Sequence, residues 1–228
     1  MIGFATFLLG GTLGVALYLY ISSFIERLQT DVYAAYVELF PNNPPPFQKH
    51  LANLQTQKCG HVLQYFFVVG FIFSAFAALA PSPSFALWFS TALALLWAIA
   101  YLDWRYRLIS PTPCLGLLAL GLFGAAQSFS DLMLEQSLQS AAGFFLLFYA
   151  VYWFAKWHYK QEAFGRGDYW LALAIGSYLP LEQLPVFLLI ACVTGILFAL
   201  PLRKTKEFLP FAPFLCLSFI VLNAKYLI

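Results

Sequence analysis

Charge is what this sequence has least of: only 10% of its residues are Asp, Glu, Lys or Arg, against 62% that are hydrophobic and 19% that are aromatic. A soluble domain carries about a quarter of its residues as charges. A soluble chain of 228 residues could not hide so much apolar surface. The net charge of +2 is too small to suggest a nucleic-acid partner, and none is expected. Cysteine is also sparse. Cys59, Cys114, Cys192 and Cys216 stand singly with no Cys-x-x-Cys, which excludes a zinc ribbon, a redox motif and a disulfide framework. Three of them fall in apolar runs and read as small packing residues. His50, His61 and His158 are separated in sequence and read as ordinary loop or border histidines.

What is present is a series of long apolar runs. A membrane-spanning helix needs roughly 20 mainly apolar residues, and such runs lie near 3–25, 63–80, 84–102, 112–127, 138–157, 168–181, 183–202 and 208–226. The fold class that follows is an all-α polytopic membrane protein with about eight transmembrane helices. The first run lacks a basic start and a small-residue cleavage site, so it reads as a retained span. The only sizeable polar stretch, 26–62, follows it as a cytoplasmic loop or small subdomain. Within it, Pro41-Asn42-Asn43-Pro44-Pro45-Pro46 cannot be helical throughout. The expected division is therefore 1–25, 26–62 and a transmembrane core over 63–228.

Basic residues orient these spans. With the amino terminus outside, the inner segments collect Arg27, Lys49, Lys58, Arg105, Arg107, Lys156, Lys160, Arg166, Arg203, Lys204 and Lys206. Of the twelve basic residues only Lys225 falls outside, where the short loops carry Asp131, Glu135 and Glu182. Aromatic residues such as Tyr149, Tyr152, Trp153, Trp157 and Tyr159 fit an interfacial belt.

This orientation brings two acids together. Asp103 closes the third span, which runs inward, and Asp168 opens the sixth, which runs outward, so both reach the cytoplasmic border. Ionisable groups there are functional candidates because burying them is costly. Two carboxyl groups close together in a low-dielectric site cannot both ionise easily, so the pair shares a proton. Such a pair can hydrolyse a peptide bond, one carboxylate acting as general base on water while its neutral partner hydrogen-bonds the carbonyl oxygen. Gly165 and Gly167, without a Cβ, would let a substrate strand approach the backbone, as substrate-binding or site-shaping positions. Two plainer readings stand beside this one: Asp168 as a helix N-cap, and Asp103 as a solvated border charge paired with Arg105 or Arg107.

The surrounding residues resemble a known family. Asp103-Trp-Arg-Tyr-Arg-Leu-Ile109 looks like the first catalytic motif of the type IV prepilin peptidases. Gly165-Arg166-Gly167-Asp168, followed by Leu171-Ala172-Leu173-Ala174-Ile175-Gly176, resembles their Gly-x-Gly-Asp motif and the helix behind it. Leu209-Pro210-Phe211-Ala212-Pro213 is similar to their Pro-Phe-Gly-Pro. The resemblance implies an aspartyl endopeptidase of the bacterial inner membrane. It would cut the basic leader from type IV prepilins or pseudopilins on the cytoplasmic side, with Asp103 and Asp168 catalytic and no cofactor needed for proteolysis. Many members also methylate the new amino terminus with S-adenosylmethionine. This chain departs from the family at Ile109-Ser110-Pro111, at Trp170 and at Ala212. Its Gly14–Leu28 segment lacks the Asn of the family's amino-terminal motif, so weak or no methyl transfer is expected. Where many relatives bind zinc through two Cys-x-x-Cys pairs, only Cys59-Gly60-His61 remains, and one thiol cannot make a four-ligand site, so no zinc is expected. The alternatives are a non-catalytic membrane assembly protein descended from the peptidase, and a small transporter. The latter predicts acids part-way across the bilayer, and no span contains one.

Overall fold

The computed structural model describes residues 2–42, 54–80, 82–160, 165–202 and 209–224. Pro44–Pro46, Lys49, His50, Arg203, Lys204, Lys206 and Lys225 lie outside these. Among the described residues there are eight α-helices and no strand: α1 (Ile2–Leu39), α2 (Val62–Leu79), α3 (Pro83–Tyr106), α4 (Pro111–Ala126), α5 (Leu134–Tyr159), α6 (Arg166–Gly176), α7 (Leu184–Leu202) and α8 (Ala212–Leu222). Five of them, α1, α2, α3, α5 and α7, are long and apolar enough to cross a membrane. At 1.5 Å per residue, α4 reaches roughly 24 Å, and α6 and α8 only about 16 Å each, less than the ~30 Å hydrocarbon thickness.

Two boundaries differ from the sequence expectation for identifiable reasons. The first helix continues to Leu39 instead of ending near residue 25, because nothing between Glu26 and Phe40 breaks it. Hydropathy falls there, but Glu, Arg, Leu, Gln and Ala sustain helix until Pro41 stops it. Conversely, α6 ends at Gly176, short of residue 181. Tyr178 and Leu179 are buried but belong to a turn that leads into Pro180, so their apolar character reports burial and not helix.

The chain divides into two compact units, residues 1–75 and 76–228. In the first, α1 and the adjoining turns of α2 meet along glycines. A Cβ on Gly10 would lie 2.7 Å from Phe73, one on Gly14 would run into the Tyr65 carbonyl, and one on Gly70 would lie 2.9 Å from the Phe7 carbonyl. Small residues at this spacing let membrane helices approach backbone to backbone. The Tyr18 and Tyr65 rings then pack edge to face at 5.3 Å.

In the second unit α6 is central, flanked by α4, α5 and α8, while α3 packs on α4 and α8, and α7 on α8. Leu171, Ala172, Ala174 and Ile175 of α6 are fully buried. Side chains bridge helices through backbone carbonyls, as suits a medium without water. Trp88 Nε1 donates to Leu120 O (2.8 Å), Tyr178 Oη to Leu117 O (3.0 Å), Ser137 Oγ to Ser177 O (2.7 Å) and Ser218 Oγ to Phe187 O (2.7 Å). Outward, Leu189, Val193, Ile196, Leu197 and Leu200 of α7 are exposed. A soluble protein would not show such a stripe; a lipid-facing helix would.

Candidate active site

Three helix ends build the site. Helix α3 starts at Ser82, whose Oγ accepts the Phe85 amide at 3.2 Å, with Pro83 in its first turn. It ends at Arg107, a left-handed cap (φ 55°) whose N–H bonds Asp103 O at 2.8 Å. Asp103 therefore sits in the last turn, and it is only 5% exposed. The solvated-border reading of this residue does not hold. Arg107 acts on its carboxylate electrostatically, whereas Arg105 lies over the Tyr101 ring at 5.1 Å.

Asp168 is equally buried, at 5% exposure. It is not the N-cap of α6. Gly165 holds that place and Asp168 is the third helical residue. The Asp168 N–H donates to Gly165 O at 3.3 Å, and the Asp168 carboxylate in turn takes the Gly165 amide. This is the reach-back half of a capping box. Its other oxygen, Oδ1, is buried with no hydrogen-bond partner. Such an orphan normally costs free energy and marks a place where a water or ligand donor belongs.

The two carboxyl groups lie close enough to act on each other electrostatically. Both sit in the same unit, although they come from distant parts of the sequence. Gly165 is exposed beside Asp168, and a Cβ there would lie 2.7 Å from Asp168 Oδ2. Gly167 is packed closely against another element. Its missing side chain makes room for Ile109, whose Cβ a methyl would strike. It brings the start of α6 against the α3–α4 turn.

Sequence reasoning missed three contributors. The Ala212 backbone N–H, at the start of α8, donates to Asp103 Oδ2 at 2.9 Å. The segment Leu209–Pro213 stood out as a motif, but nothing in it named Asp103 as its partner. Cys114 and Cys216 are buried and within electrostatic range of Asp168 and Asp103 respectively, and the Cys216 thiol donates to Leu96 O at 3.5 Å. Cys59 lies elsewhere, in the loop before α2, where its thiol donates to Gln57 O at 3.2 Å. Among the described residues no three His, Cys, Asp or Glu side chains group as a metal site.

Fold and site together define a multi-pass, all-helical membrane protein with a buried pair of aspartates in its bundle. The model of the type IV leader peptidase family matches residues 90–200, a segment that contains both aspartates. The chain is 58% identical over 224 residues to a Haemophilus influenzae protein named prepilin leader peptidase/N-methyltransferase, covering 97% of this chain and 96% of that one. A type 4 prepilin-like proteins leader peptide-processing enzyme of Escherichia coli is 31% identical over 60% of this chain and 51% of its own. A prepilin leader peptidase/N-methyltransferase of Legionella pneumophila is 31% identical over 56% of this chain and 46% of its own. This chain belongs to the type IV leader peptidase family. No solved structure matches it.

Proposed function

We propose that this membrane peptidase cleaves the basic leader from type IV prepilins or pseudopilins, using Asp103 and Asp168 at the cytoplasmic border of the bacterial inner membrane. The observation that carries the reading is the pairing of two carboxyl groups, buried to the same degree and within mutual electrostatic range. Surrounding apolar residues keep them in a low-dielectric setting where fixed charges and donors act strongly. One carboxylate takes a proton from a water, whose oxygen attacks the scissile carbonyl carbon. The partner, carrying the shared proton, donates to the carbonyl oxygen. Collapse of the tetrahedral intermediate breaks the C–N bond as that nitrogen accepts a proton. No step calls for a metal.

The substrate class is supported by the name of the Haemophilus relative and its coverage of nearly both chains. Eight crossings with the amino terminus outside, residues 63–228 as the peptidase core and 26–62 on the cytoplasmic side make the arrangement that the basic residues favour. It would place the pair on the side where a prepilin presents its leader. The relative's name also includes methyl transfer, a reaction for which S-adenosylmethionine would be the co-substrate.

Asp103→Asn and Asp168→Asn, each purified into nanodiscs with a prepilin substrate, test the proposal. Each variant should leave the leader attached while melting like the native protein. Full cleavage by either one overturns the assignment.

A further inference from the structure

The start of α8 lies beyond the segment matched by the family model, yet it holds one of the two carboxylates. A helix begins with amides that have no partner inside it and with the positive end of its dipole. In α8 these amides are nearly all accounted for. The Phe214 and Leu215 amides both bond Phe211 O, at 3.1 and 3.2 Å. Pro213 has no N–H to offer. Ala212 is thus the one first-turn residue of α8 with an amide free to point elsewhere, and it points to Asp103 Oδ2 at 2.9 Å. Ala212 is itself fully buried, so no bulk water stands ready to replace that bond.

We propose that Ala212, through its backbone amide alone, is the positioning residue of Asp103, holding one carboxylate oxygen so that the group keeps its orientation toward Asp168 during turnover. The inference rests on the catalytic reading of Asp103. The working group belongs to the main chain, so the middle residue of Phe211-Ala212-Pro213 presents the same N–H whatever small side chain it carries. With Oδ2 of Asp103 so engaged, Oδ1 of Asp168, buried and unpartnered, is an oxygen left for the water or the substrate.

The test removes the N–H, and its one other effect is to make Phe211 O an ester carbonyl, a weaker acceptor for the Phe214 and Leu215 amides. Replacing Ala212 by its α-hydroxy analogue, lactic acid, converts the amide to an ester in the full-length protein, assayed in nanodiscs on a prepilin substrate. Hydrogen bonds to charged groups contribute enough to lower kcat roughly ten- to a hundredfold when one is lost, with KM within about twofold. Ala212→Gly keeps the amide and should keep kcat within about threefold. The infrared carboxyl band of Asp103, isolated with labelled aspartate against Asp103→Asn, should shift in the ester protein and stay in place in Ala212→Gly. An ester protein with native kcat and an unshifted band overturns the proposal. So does an Ala212→Gly protein whose kcat falls tenfold or more, a result that still reads out if the ester protein fails to fold. A fully active Asp103→Asn protein together with a shifted band would instead refute the catalytic role of Asp103 and leave the hydrogen bond standing.

Discussion

Gly165→Ala is the smallest change that should move the Asp168 carboxyl without harming the fold. The backbone at 165 is extended (φ −68°, ψ 135°) and accepts any residue. The added methyl would lie 2.7 Å from Asp168 Oδ2, whereas ordinary contact begins at 3.4 Å, so the oxygen must retreat by about 0.7 Å. That oxygen ends a side chain, and rotating it away is cheaper than shifting a helix. Retreat also weakens the bond from the Gly165 amide. Misplacing a reacting group by ~1 Å can cost on the order of a hundredfold in rate. The expectation is therefore a kcat loss of roughly ten- to a hundredfold, about 1.4–2.8 kcal/mol in the barrier. Stability should fall by no more than about 1 kcal/mol, since Ala is a poorer N-cap than Gly. The assay is leader cleavage under saturating substrate in nanodiscs, with the melting temperature measured in parallel. Gly116→Ala is the control, because nothing lies within 4 Å of a Cβ there, and it should be silent. A Gly165→Ala protein that cleaves within twofold of native, or Gly116→Ala losing as much, would refute the reasoning.

Two further outcomes follow from the same structure. In Gly167→Ala the methyl meets the Cβ of Ile109, and its Cγ1 and Cγ2 at 3.0 Å. A Cβ cannot rotate away, so the first turn of α6 must shift, lowering stability by about 1–3 kcal/mol and activity with it. Ile109→Ala in the same chain should restore only part of the melting temperature, because its Cβ remains; an unchanged melting temperature in Gly167→Ala itself would contradict the packing described. Methyl transfer to a cleaved pilin from labelled S-adenosylmethionine should be weak or absent, since Gly14–Leu28 lacks the Asn of the family motif. Label incorporated at a rate matching cleavage would show that this Asn is dispensable.

Composition by itself determined that this chain lives in a membrane: with so few charges and so many apolar residues, no water-facing fold can bury the excess. The order of motifs also singled out Asp103 and Asp168, because an acid at the border of an apolar run is legible in one dimension. Helix ends were less legible. Hydropathy marks where a segment is apolar, so it stopped α1 before its true end and carried α6 past its own. What only the tertiary structure decided is who touches whom. Gly167 answers to Ile109, Gly165 to Asp168, and Asp103 to an amide at the start of α8. The last is a main-chain group whose direction depends on where a helix begins and on which neighbouring amides are already committed. Residue identity carries almost no record of that, which is why an alanine in a proline-flanked motif gave no hint that it grips the Asp103 carboxylate.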